Sequence, residues 1–514
     1  MLWRMLQGRT LWELMERRVD ATPDALMAVD EDMRTITFME FWSEAERAAA
    51  GLSALGVLPG DVVSWQLPTW IESMVLVAAL SRLGVTQNPM LPIYREREVA
   101  FITGQAQTSL LVVPSVWKGF DYEALATSVA RASGEMGVLV ADKALPQGDP
   151  SRLPPIPDPL DAADQECRWL FYTSGTTADP KGARHTDATI SAVATGMSGR
   201  LALIPDDRNS LVFPFTHVGG ITWLFASLQS GCSNILTEAF HPDETSEVLA
   251  REGVTLAGCA TVFHQAYLAY QRKQGRPVFP NVRAFPGGGS PKPPAIIAEM
   301  REVFDATVVS GYGLTEAPVL TMADVSDSDD ELAVSEGKPM PGVELKLVGL
   351  DGTVADQGEE GEIRAKAPQM MLGYLDSSLD LDAFDEEGYF RTGDLGRLDE
   401  RGNLIVTGRL KDIIIRKGEN VSAKEVEDLL YTHPKVLDVA VIGVPDPDSG
   451  ERVCAVVQLR DPSVPLGFDE MVDHLRSVGL MSQKLPEQLE IIDELPRNTA
   501  GKVLKHVLRD QYKG

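Results

Sequence analysis

Cysteine is scarce in the sequence, and the spacing of the few cysteines argues against two common roles. Only four of the 514 residues are cysteines, and Cys167, Cys232, Cys259 and Cys454 form no CxxC pair. Cysteine zinc sites need closely paired ligands, and disulfide frameworks are typical of short secreted chains. We therefore expect reduced cysteines in a cytoplasmic protein.

Positive charge is also in short supply, because 47 Lys and Arg stand against 75 Asp and Glu, which gives a net charge of -28. A field of this sign repels polyanions, so nucleic acid is not expected as a partner. No apolar run is long enough to span a bilayer. Arg4 and Arg9 interrupt the apolar N-terminus, which therefore does not resemble a signal peptide. The sequence predicts a soluble protein without a transmembrane segment.

Several common catalytic patterns are missing. The seven histidines occur at neither HxxxH nor HExxH spacing, and there is no GxSxG elbow, so zinc and serine hydrolases have no support. The stretch YTSGTTADPKG (172–182) is not a Walker A loop, because Pro180 takes the place of its second glycine and Gly182 follows Lys181. GYGLTE (311–316) is not a dinucleotide fingerprint, because Glu316 occupies the third glycine position.

What the sequence does contain is an alternation of apolar strands and helical stretches. Residues 71–84 predict a buried helix that ends at Gly84, and RWLFYTSG predicts a strand that runs into a loop. ATVVSGYGLTEAP (306–318) repeats the pattern of a strand followed by a glycine-rich turn. Such alternation predicts an α/β fold with a parallel sheet, and a ligand site at the loops that follow the strands.

The pattern changes towards the C-terminus. There the sequence predicts a compact α+β unit of about one hundred residues, which is enough for a separate domain. Its first helix is predicted directly after Ser422, a favourable capping residue. We place the boundary at Gly408 to Asp412 and predict domains at 1–408 and 409–514.

Five motifs occur in a fixed order along the chain: YTSGTTADPKG, GYGLTE, YFRTGDLG (389–396), GRLKDIIIRKGENV (408–421) and PRNTAGKVLK (496–505). Together they resemble the adenylate-forming acyl-CoA synthetases, or AMP-binding enzymes, over nearly the whole chain. The resemblance implies a large N-terminal domain of mixed and parallel sheets with helices, which binds AMP and the acyl group. It also implies a small mobile α+β C-terminal domain, and ATP, Mg²⁺ and coenzyme A as cofactors or cosubstrates.

The resemblance assigns the ATP phosphates to the first motif. The β- and γ-phosphates would be held by hydroxyls, backbone N–H groups and a lysine of this phosphate loop: Thr173, Ser174, Gly175, Thr176, Thr177 and Lys181. Ala178 departs from the family pattern, which has glycine there, and leaves the mobility of the loop open. Glu316 and Thr176 would hold Mg²⁺, since oxygen ligands suit this hard cation.

The adenosine part of ATP is assigned to the second and third motifs. Tyr312 would stack on adenine, Thr315 would hydrogen-bond the α-phosphate, and Asp394 would bind the ribose hydroxyls. Arg409 would reach the ribose or a phosphate from the domain boundary. The remaining residues of this nucleotide site are Gly288, Gly289, Ser290, Gly311 and Gly313.

The C-terminal domain would supply the catalytic lysine. The resemblance implies that the Lys502 ammonium bridges the substrate carboxylate and the α-phosphate in the transition state. Lys411 would be the hinge residue, and after a domain rotation Lys417 and Gly418 would line the tunnel for the pantetheine arm. Lys505, one turn further on, is expected to be an ordinary surface lysine.

The sequence assigns fewer residues to the acyl pocket than to the nucleotide site. His217, in the segment PFTHVGG, would be a catalytic residue at the wall or gate of the acyl pocket. Residues 214–217 contain no carboxylate, which disfavours an amino acid as substrate. Val262, Phe263 and the glycines at 287–289 predict an apolar cavity floored by backbone.

Two further stretches, NPMLPIYREREVAFI and WKGFDYEALA, are similar to bacterial short- or medium-chain and cyclohexanecarboxylate CoA ligases. We therefore expect an ATP-dependent carboxylic acid:CoA ligase of fatty acid or lipid metabolism, acting through an acyl-adenylate on a medium-chain or alicyclic acid. Three alternatives stay open: an acyl-AMP ligase that loads a carrier protein, a steroid side-chain acid CoA ligase, and a nucleotide-binding regulator without catalysis. The sequence is compatible with a monomer and with a homodimer.

Overall fold

The computed structural model describes residues 5–134, 136–157, 166–173, 179–288, 294–416, 419–446, 449–497 and 502–512. Among these residues, no helix combines the length and the hydropathy needed to cross a membrane. The helices in chain order are α1 Leu11–Ala21, α2 Phe38–Ala54, α3 Ile71–Leu83, α4 Glu96–Gln105, α5 Tyr122–Ser133, α6 Asp187–Arg200, α7 Val218–Ser230, α8 Pro242–Arg251, α9 Thr261–Gln274, α10 Pro294–Phe304, α11 Asp329–Val334, α12 Asp380–Ala383, α13 Ala423–Leu430, α14 Phe468–Ser477 and α15 Lys505–Tyr512.

The strands of these ranges form several sheets. In chain order they are β1 Leu26–Asp30, β2 Thr35–Thr37, β3 Val62–Trp65, β4 Thr86–Pro89, β5 Leu110–Val113, β6 Val116–Trp117, β7 Phe120–Asp121, β8 Gly137–Val140, β9 Trp169–Thr173, β10 Lys181–His185, β11 Arg208–Leu211, β12 Ser233–Leu236, β13 Ala284–Gly288, β14 Thr307–Tyr312, β15 Thr321–Met322, β16 Lys338–Pro339, β17 Glu344–Val348, β18 Gly361–Lys366, β19 Phe390–Leu398, β20 Leu404–Arg409, β21 Ile413–Arg416, β22 Glu419–Ser422, β23 Val436–Asp446, β24 Gly450–Leu459 and β25 Gln488–Ile491.

Two largely parallel sheets build the large N-terminal domain. One has the order β10-β9-β4-β3-β5-β8, in which only β10 is antiparallel to its neighbour. The other runs β2-β1-β12-β11 and continues to β13-β14-β15-β16 through Leu256, which forms one parallel bridge to Asn209 of β11 and another to Ala284 of β13. Strands β13 and β14 pair in parallel, so their carboxyl ends meet at one edge. Helices α3, α6 and α7 share one hydrophobic core with both sheets.

The local sequence explains where these core helices begin and end. Helix α3 is buried on nearly all sides, as its continuous apolar residues require. It ends at Gly84, which has φ of 70° and closes the helix in the left-handed conformation that glycine adopts without strain. The predicted helix at 71–84 is therefore confirmed. The Thr10 side chain accepts a hydrogen bond from the Glu13 backbone N–H at the start of α1.

A four-stranded antiparallel sheet, β17-β18-β19-β20, leads to the smaller C-terminal domain. That domain has the strand order β22-β21-β24-β23, with β25 parallel to β24. Helices α13 and α14 pack on it through a core that includes Val426, Leu430 and Leu475. Strands β20 and β21 are joined by a single 3-10 turn, Leu410–Asp412. The predicted fold class, a large domain of parallel and mixed sheets with a small α+β domain, is confirmed.

Candidate active site

The glycine-rich turn after β14 lies at the edge where parallel strands end. Gly288 of β13 pairs with Gly311 of β14, and a Cβ on Gly288 would approach the Gly311 carbonyl oxygen to 2.8 Å. A Cβ on Gly313 would lie 2.2 Å from the Val319 backbone nitrogen. These glycines therefore let the backbone fold back tightly, which presents the next residues, Thr315 and Glu316, at the strand ends.

Asp394 connects this turn to the domain boundary. Its carboxylate is only 2 % exposed, and each oxygen has a partner: the Tyr312 hydroxyl donates to Oδ2 at 2.8 Å, and the Arg409 Nε donates to Oδ1 at 2.7 Å. Burial, and then the negative charge of Asp394, raise the pKa of Tyr312 well above its usual value, so its hydroxyl stays a donor. The structure thus brings together three residues predicted to bind adenosine.

Glu316 and Lys181 contact the same tyrosine, Tyr374, at its hydroxyl and at its ring face. The Tyr374 hydroxyl donates a hydrogen bond to Glu316 Oε1 at 2.8 Å, and Glu316 is 8 % exposed. The Lys181 ammonium lies 5.4 Å from the centre of the Tyr374 ring. Lys181 opens β10 opposite Thr173 of β9, so these two residues flank the predicted phosphate loop.

Lys502 of the small domain lies near the charged side chains of Asp394 and Arg409. It is half-buried, and its pKa is lowered to about 8, chiefly by burial and then by the nearby cations Arg409 and Lys411, while Asp394 and Asp412 oppose the shift. The pKa of Lys411 is lowered for the same reasons, burial first and Arg409 next. Partial burial and the two nearby cations thus disfavour the charged form of Lys502, and an additional anion such as a phosphate would stabilise it.

His217 marks a second part of the site. It caps α7, and its Nδ1 accepts a hydrogen bond from the Gly219 N–H at 3.1 Å, so a neutral ring carries its proton on Nε2. Burial lowers the pKa of His217 to about 4. Its ring packs edge-on against Phe213, which also contacts the core cluster that contains Phe263 and Phe285. His217 therefore offers a neutral N–H next to aromatic surface.

Comparison with known proteins decides the family. The family model described as AMP-binding enzyme matches residues 15–375, and that of the AMP-binding enzyme C-terminal domain matches residues 425–502. The chain belongs to the AMP-binding enzyme family. This confirms the predicted family and the predicted class, the AMP-forming acid–thiol ligases.

The AMP-binding enzyme has full-length relatives. It is 30% identical to the medium-chain fatty-acid–CoA ligase of Escherichia coli (strain K12), over 99% of its own chain and 91% of that protein. It is 31% identical to the salicyl-AMP ligase / salicyl-S-ArCP synthetase of Mycobacterium tuberculosis, over 98% and 90%. The crystal structure of ATP-bound MatB from Rhodopseudomonas palustris superimposes with a TM-score of 0.88 at 27% identity, with 99% of each chain covered.

Part of the predicted site of this AMP-binding enzyme lies outside the described residues, and its roles stay predictions. These positions are Ser174, Gly175, Thr176, Thr177, Gly289, Ser290, Lys417 and Gly418. Within the described ranges, no group of three or more His, Cys, Asp or Glu side chains is arranged to hold a metal ion. Mg²⁺ usually takes one or two carboxylates together with substrate phosphates. Buried Glu316, whose partner Tyr374 also contacts the Lys181 ammonium, fits that kind of site.

The structure places most of the residues that were predicted to line an apolar acyl cavity, and their role in such a cavity stays a prediction. Phe263 is 5% exposed and packs edge-on against Phe240 with ring centres 4.5 Å apart, so its side chain belongs to the core. Val262 and Gly287 are partly exposed. A Cβ on Gly287 would lie 3.1 Å from the His264 ring and 3.3 Å from the Cys259 carbonyl oxygen. A side chain at position 287 would therefore press against both neighbours, and glycine avoids this crowding.

The expectation for Lys505 was wrong. Its ammonium forms an ion pair with Glu427 at 2.7 Å, and the two side chains are 17% and 8% exposed. Arg509, one turn further along α15, pairs with Asp412 at 2.7 Å. Helix α15 packs on β23 with Leu508 fully buried, which directs Lys505 and Arg509 inwards instead of towards solvent.

Sequence reasoning missed two residues that support the site, Tyr374 and His185. The His185 Nε2 donates to the Thr315 backbone carbonyl at 2.9 Å, and burial lowers its pKa to about 4, so the ring is neutral. His185 ends β10, the strand that starts at Lys181, and this position directly after the phosphate loop was the available signal. Tyr374 had no such signal, because it lies 58 residues from Glu316 in sequence.

The pKa of Lys502 predicts a pH limit for the first half-reaction. Because this pKa of about 8 lies below the usual 10.5, the ammonium is lost as the pH rises through about 8. We expect kcat/KM for pyrophosphate release to fall above that pH, since kcat/KM reports groups of the free enzyme. Lys502→Arg keeps its charge at every accessible pH and should lose this basic limb. An unchanged limb in Lys502→Arg would assign the titration to another group.

Proposed function

We propose that this AMP-binding enzyme is an ATP- and Mg²⁺-dependent carboxylic acid:CoA ligase that acts through an acyl-adenylate. The observation that carries the proposal is the position of Lys502 among Asp394, Arg409 and Lys411. A lysine of the small domain thereby reaches the residues proposed to bind the nucleotide. The compartment proposed is the cytoplasm, where ATP and CoA are available and the four cysteines stay free thiols.

In the first half-reaction, a carboxylate oxygen of the acid forms a bond to the α-phosphorus of ATP, and the bond to the pyrophosphate oxygen breaks. Two anions must approach each other, so fixed positive charge is needed where negative charge develops. Lys502 would lie between the carboxylate and the α-phosphate, and Lys181 would neutralise the outgoing phosphates. Tyr312 and Thr315 would position the adenine and the α-phosphate.

Mg²⁺ would be held by Glu316 and would neutralise phosphate charge when bound. The carboxylate of Asp394 would accept hydrogen bonds from the ribose hydroxyls and share its oxygens with Tyr312 and Arg409. Because both carboxylates are buried among donors, they are held in place before the nucleotide arrives. Such preorganisation lowers the ordering cost of binding.

In the second half-reaction, the CoA sulfur forms a thioester bond to the acyl carbon, the bond to the AMP oxygen breaks, and the thiol proton is lost. The charged ammonium of Lys502 is not needed where a neutral thiol enters. We propose that the small domain, 409–514, is mobile and that the part after its hinge residue Lys411 rotates between the two steps, with Lys417 and Gly418 then lining the pantetheine tunnel. The described ion pairs on both sides of Lys411 support a pivot there.

The acid is proposed to be an uncharged medium-chain or alicyclic acyl group. His217 is neutral and packs on an aromatic ring, and residues 214–217 hold no carboxylate for a substrate ammonium. The similarity to a medium-chain fatty-acid–CoA ligase supports this class. The similarity to a salicyl-AMP ligase that is also a salicyl-S-ArCP synthetase supports the second candidate, an acyl-AMP ligase that loads a carrier protein.

The test is pyrophosphate release with a panel of acids, in the presence and absence of CoA. The panel includes butyrate, octanoate, palmitate, cyclohexanecarboxylate, benzoate, salicylate and a steroid side-chain acid. We expect the highest kcat/KM with octanoate or cyclohexanecarboxylate, and a thioester only when CoA is added. Release with an acid but thioester formation only on a phosphopantetheinylated carrier would favour the second candidate. Lack of release with every acid would contradict both.

A further inference from the structure

The segment from Gln369 to Leu375 lies between β10 and Glu316. The Leu372 N–H donates to the Arg184 carbonyl at 2.8 Å, and the Leu375 N–H donates to the Gly182 carbonyl at 2.7 Å. Tyr374 thereby bridges to Ala183 in antiparallel fashion. On the other side, the Met371 N–H donates to the Glu316 carbonyl at 2.9 Å. This segment therefore connects the strand that begins at Lys181 with the backbone of Glu316.

The Tyr374 side chain also connects Glu316 and Lys181, through contacts with both side chains. It is 4% exposed, its hydroxyl donates to Glu316 Oε1 at 2.8 Å, and the Lys181 ammonium lies 5.4 Å from its ring centre. Burial, and then the charge of Glu316, raise the pKa of Tyr374 far above its usual value, so the hydroxyl keeps its proton. One ring thus contacts an anion through its hydroxyl and a cation through its face.

We propose that Tyr374 is a positioning residue that fixes Glu316 for the divalent cation and holds Lys181 beside it for the ATP phosphates. This role rests on the proposed function. One hydrogen bond occupies Oε1, and because no described residue bonds to Oε2 of Glu316, this oxygen is the one proposed for the cation. The ring face holds the Lys181 ammonium, and among the described residues Lys181 and Glu316 form no ion pair, so the two charges do not have to be separated when Mg-ATP binds.

Two substitutions separate the two contacts. Tyr374→Phe removes the hydroxyl and keeps the ring, so Glu316 loses its donor while Lys181 keeps the aromatic face. Tyr374→Leu removes both. If the ring acts on Lys181, only the leucine variant should lose affinity for ATP in the absence of Mg²⁺, because Lys181 acts on the phosphates directly.

The experiment is calorimetric titration of the full-length protein with ATP, with Mg²⁺ and separately with EDTA. For Tyr374→Phe we expect the gain in ATP affinity on adding Mg²⁺ to shrink about tenfold, the lower range for a hydrogen bond to a charged acceptor. Its ATP affinity in EDTA should change less than about twofold. For Tyr374→Leu we expect an additional loss in EDTA of about two- to fivefold, the range of an exposed cation–π contact.

Two matched variants frame the result. Tyr122→Phe removes a buried hydroxyl that donates to a backbone carbonyl, that of Pro92 at 2.7 Å, instead of to Glu316, and should leave the Mg²⁺ effect unchanged. Glu316→Gln should reduce the Mg²⁺ effect at least as much as Tyr374→Phe. Pyrophosphate release is measured in parallel at increasing Mg²⁺ for the wild type and for Tyr374→Phe. The half-saturating Mg²⁺ concentration should be about tenfold higher in the variant.

Two outcomes in Tyr374→Phe would overturn the proposal: a larger Mg²⁺ effect, or an unchanged one, which includes the case of equal losses of ATP affinity in EDTA and with Mg²⁺. Equal losses of ATP affinity in the two conditions would mean that Tyr374→Phe causes a general packing defect. The thermal stabilities of Tyr374→Phe and Tyr122→Phe, measured side by side, show whether removal of a buried hydroxyl alone causes such a defect. Failure of the proposed function is a separate result, because then the wild type itself would release no pyrophosphate with any acid.

Discussion

Lys502→Ala should slow adenylate formation by about 100- to 1,000-fold, the range for removing one group that stabilises transition-state charge. The same variant should convert a supplied acyl-adenylate and CoA to the thioester at close to the wild-type rate. The reason is that the ammonium lies close enough to Asp394 and Arg409 for their charges to act on its pKa, and this is the region proposed to bind the nucleotide. The measurement is single-turnover pyrophosphate release, compared with thioester formation from synthetic octanoyl-adenylate.

Lys484 offers a matched control for this variant. It is a lysine of the same domain with 26% exposure, and it pairs with Glu425 at 2.5 Å. Lys484→Ala removes a partly exposed ion pair and should leave both half-reactions within about twofold, since such pairs contribute little. If Lys502→Ala lost both half-reactions equally, the assignment of Lys502 to the first step alone would be contradicted.

Asp394→Ala should weaken ATP binding by about 100-fold, which corresponds to two hydrogen bonds to a charged acceptor at the lower end of their range. The expected loss is specific for the ribose. Wild-type protein should therefore bind ATP far more tightly than 2′,3′-dideoxy-ATP, and Asp394→Ala should bind the two about equally. Calorimetric titration with both nucleotides measures this ratio.

The small domain contains a similar arrangement that serves as a control. Asp438 accepts from the Tyr431 hydroxyl at 2.5 Å and pairs with Arg497, as Asp394 does with Tyr312 and Arg409. Asp438→Ala should cost stability and leave the ATP to dideoxy-ATP ratio unchanged. A ratio that stayed at the wild-type value in Asp394→Ala would refute the ribose role, whatever the absolute affinity.

Local signals in the sequence predicted the elements of the fold well. The helix at 71–83 follows from its apolar residues and from Gly84, and α13 starts after Ser422 as predicted. The glycine-rich turn after β14 was also predicted, because a strand followed by glycines is a short-range pattern. Such features depend on neighbours a few residues apart, and the sequence contains all of that information.

The contacts that complete the site could not be predicted in the same way. Tyr374 and Glu316, or Asp412 and Arg509, are 58 and 97 residues apart, and no periodicity connects them. Lys505 was expected at the surface because most lysines are exposed, whereas the packing of α15 turns it towards Glu427. The roles of Lys502, Asp394 and Glu316 came from motif order, and their mutual placement required the fold.

The two ion pairs next to the 3-10 turn at Leu410–Asp412 have a mechanical consequence. Arg409 is bound to Asp394 of the large domain, and Asp412 is bound to Arg509 of the small domain. Each pair would hold its residue to its own rigid body during a reorientation. We expect the whole movement to be absorbed by four backbone torsion angles, those of Leu410 and Lys411. The small domain would thus rotate about a hinge of two residues, and neither the Arg409–Asp394 nor the Arg509–Asp412 ion pair would have to dissociate in each catalytic cycle.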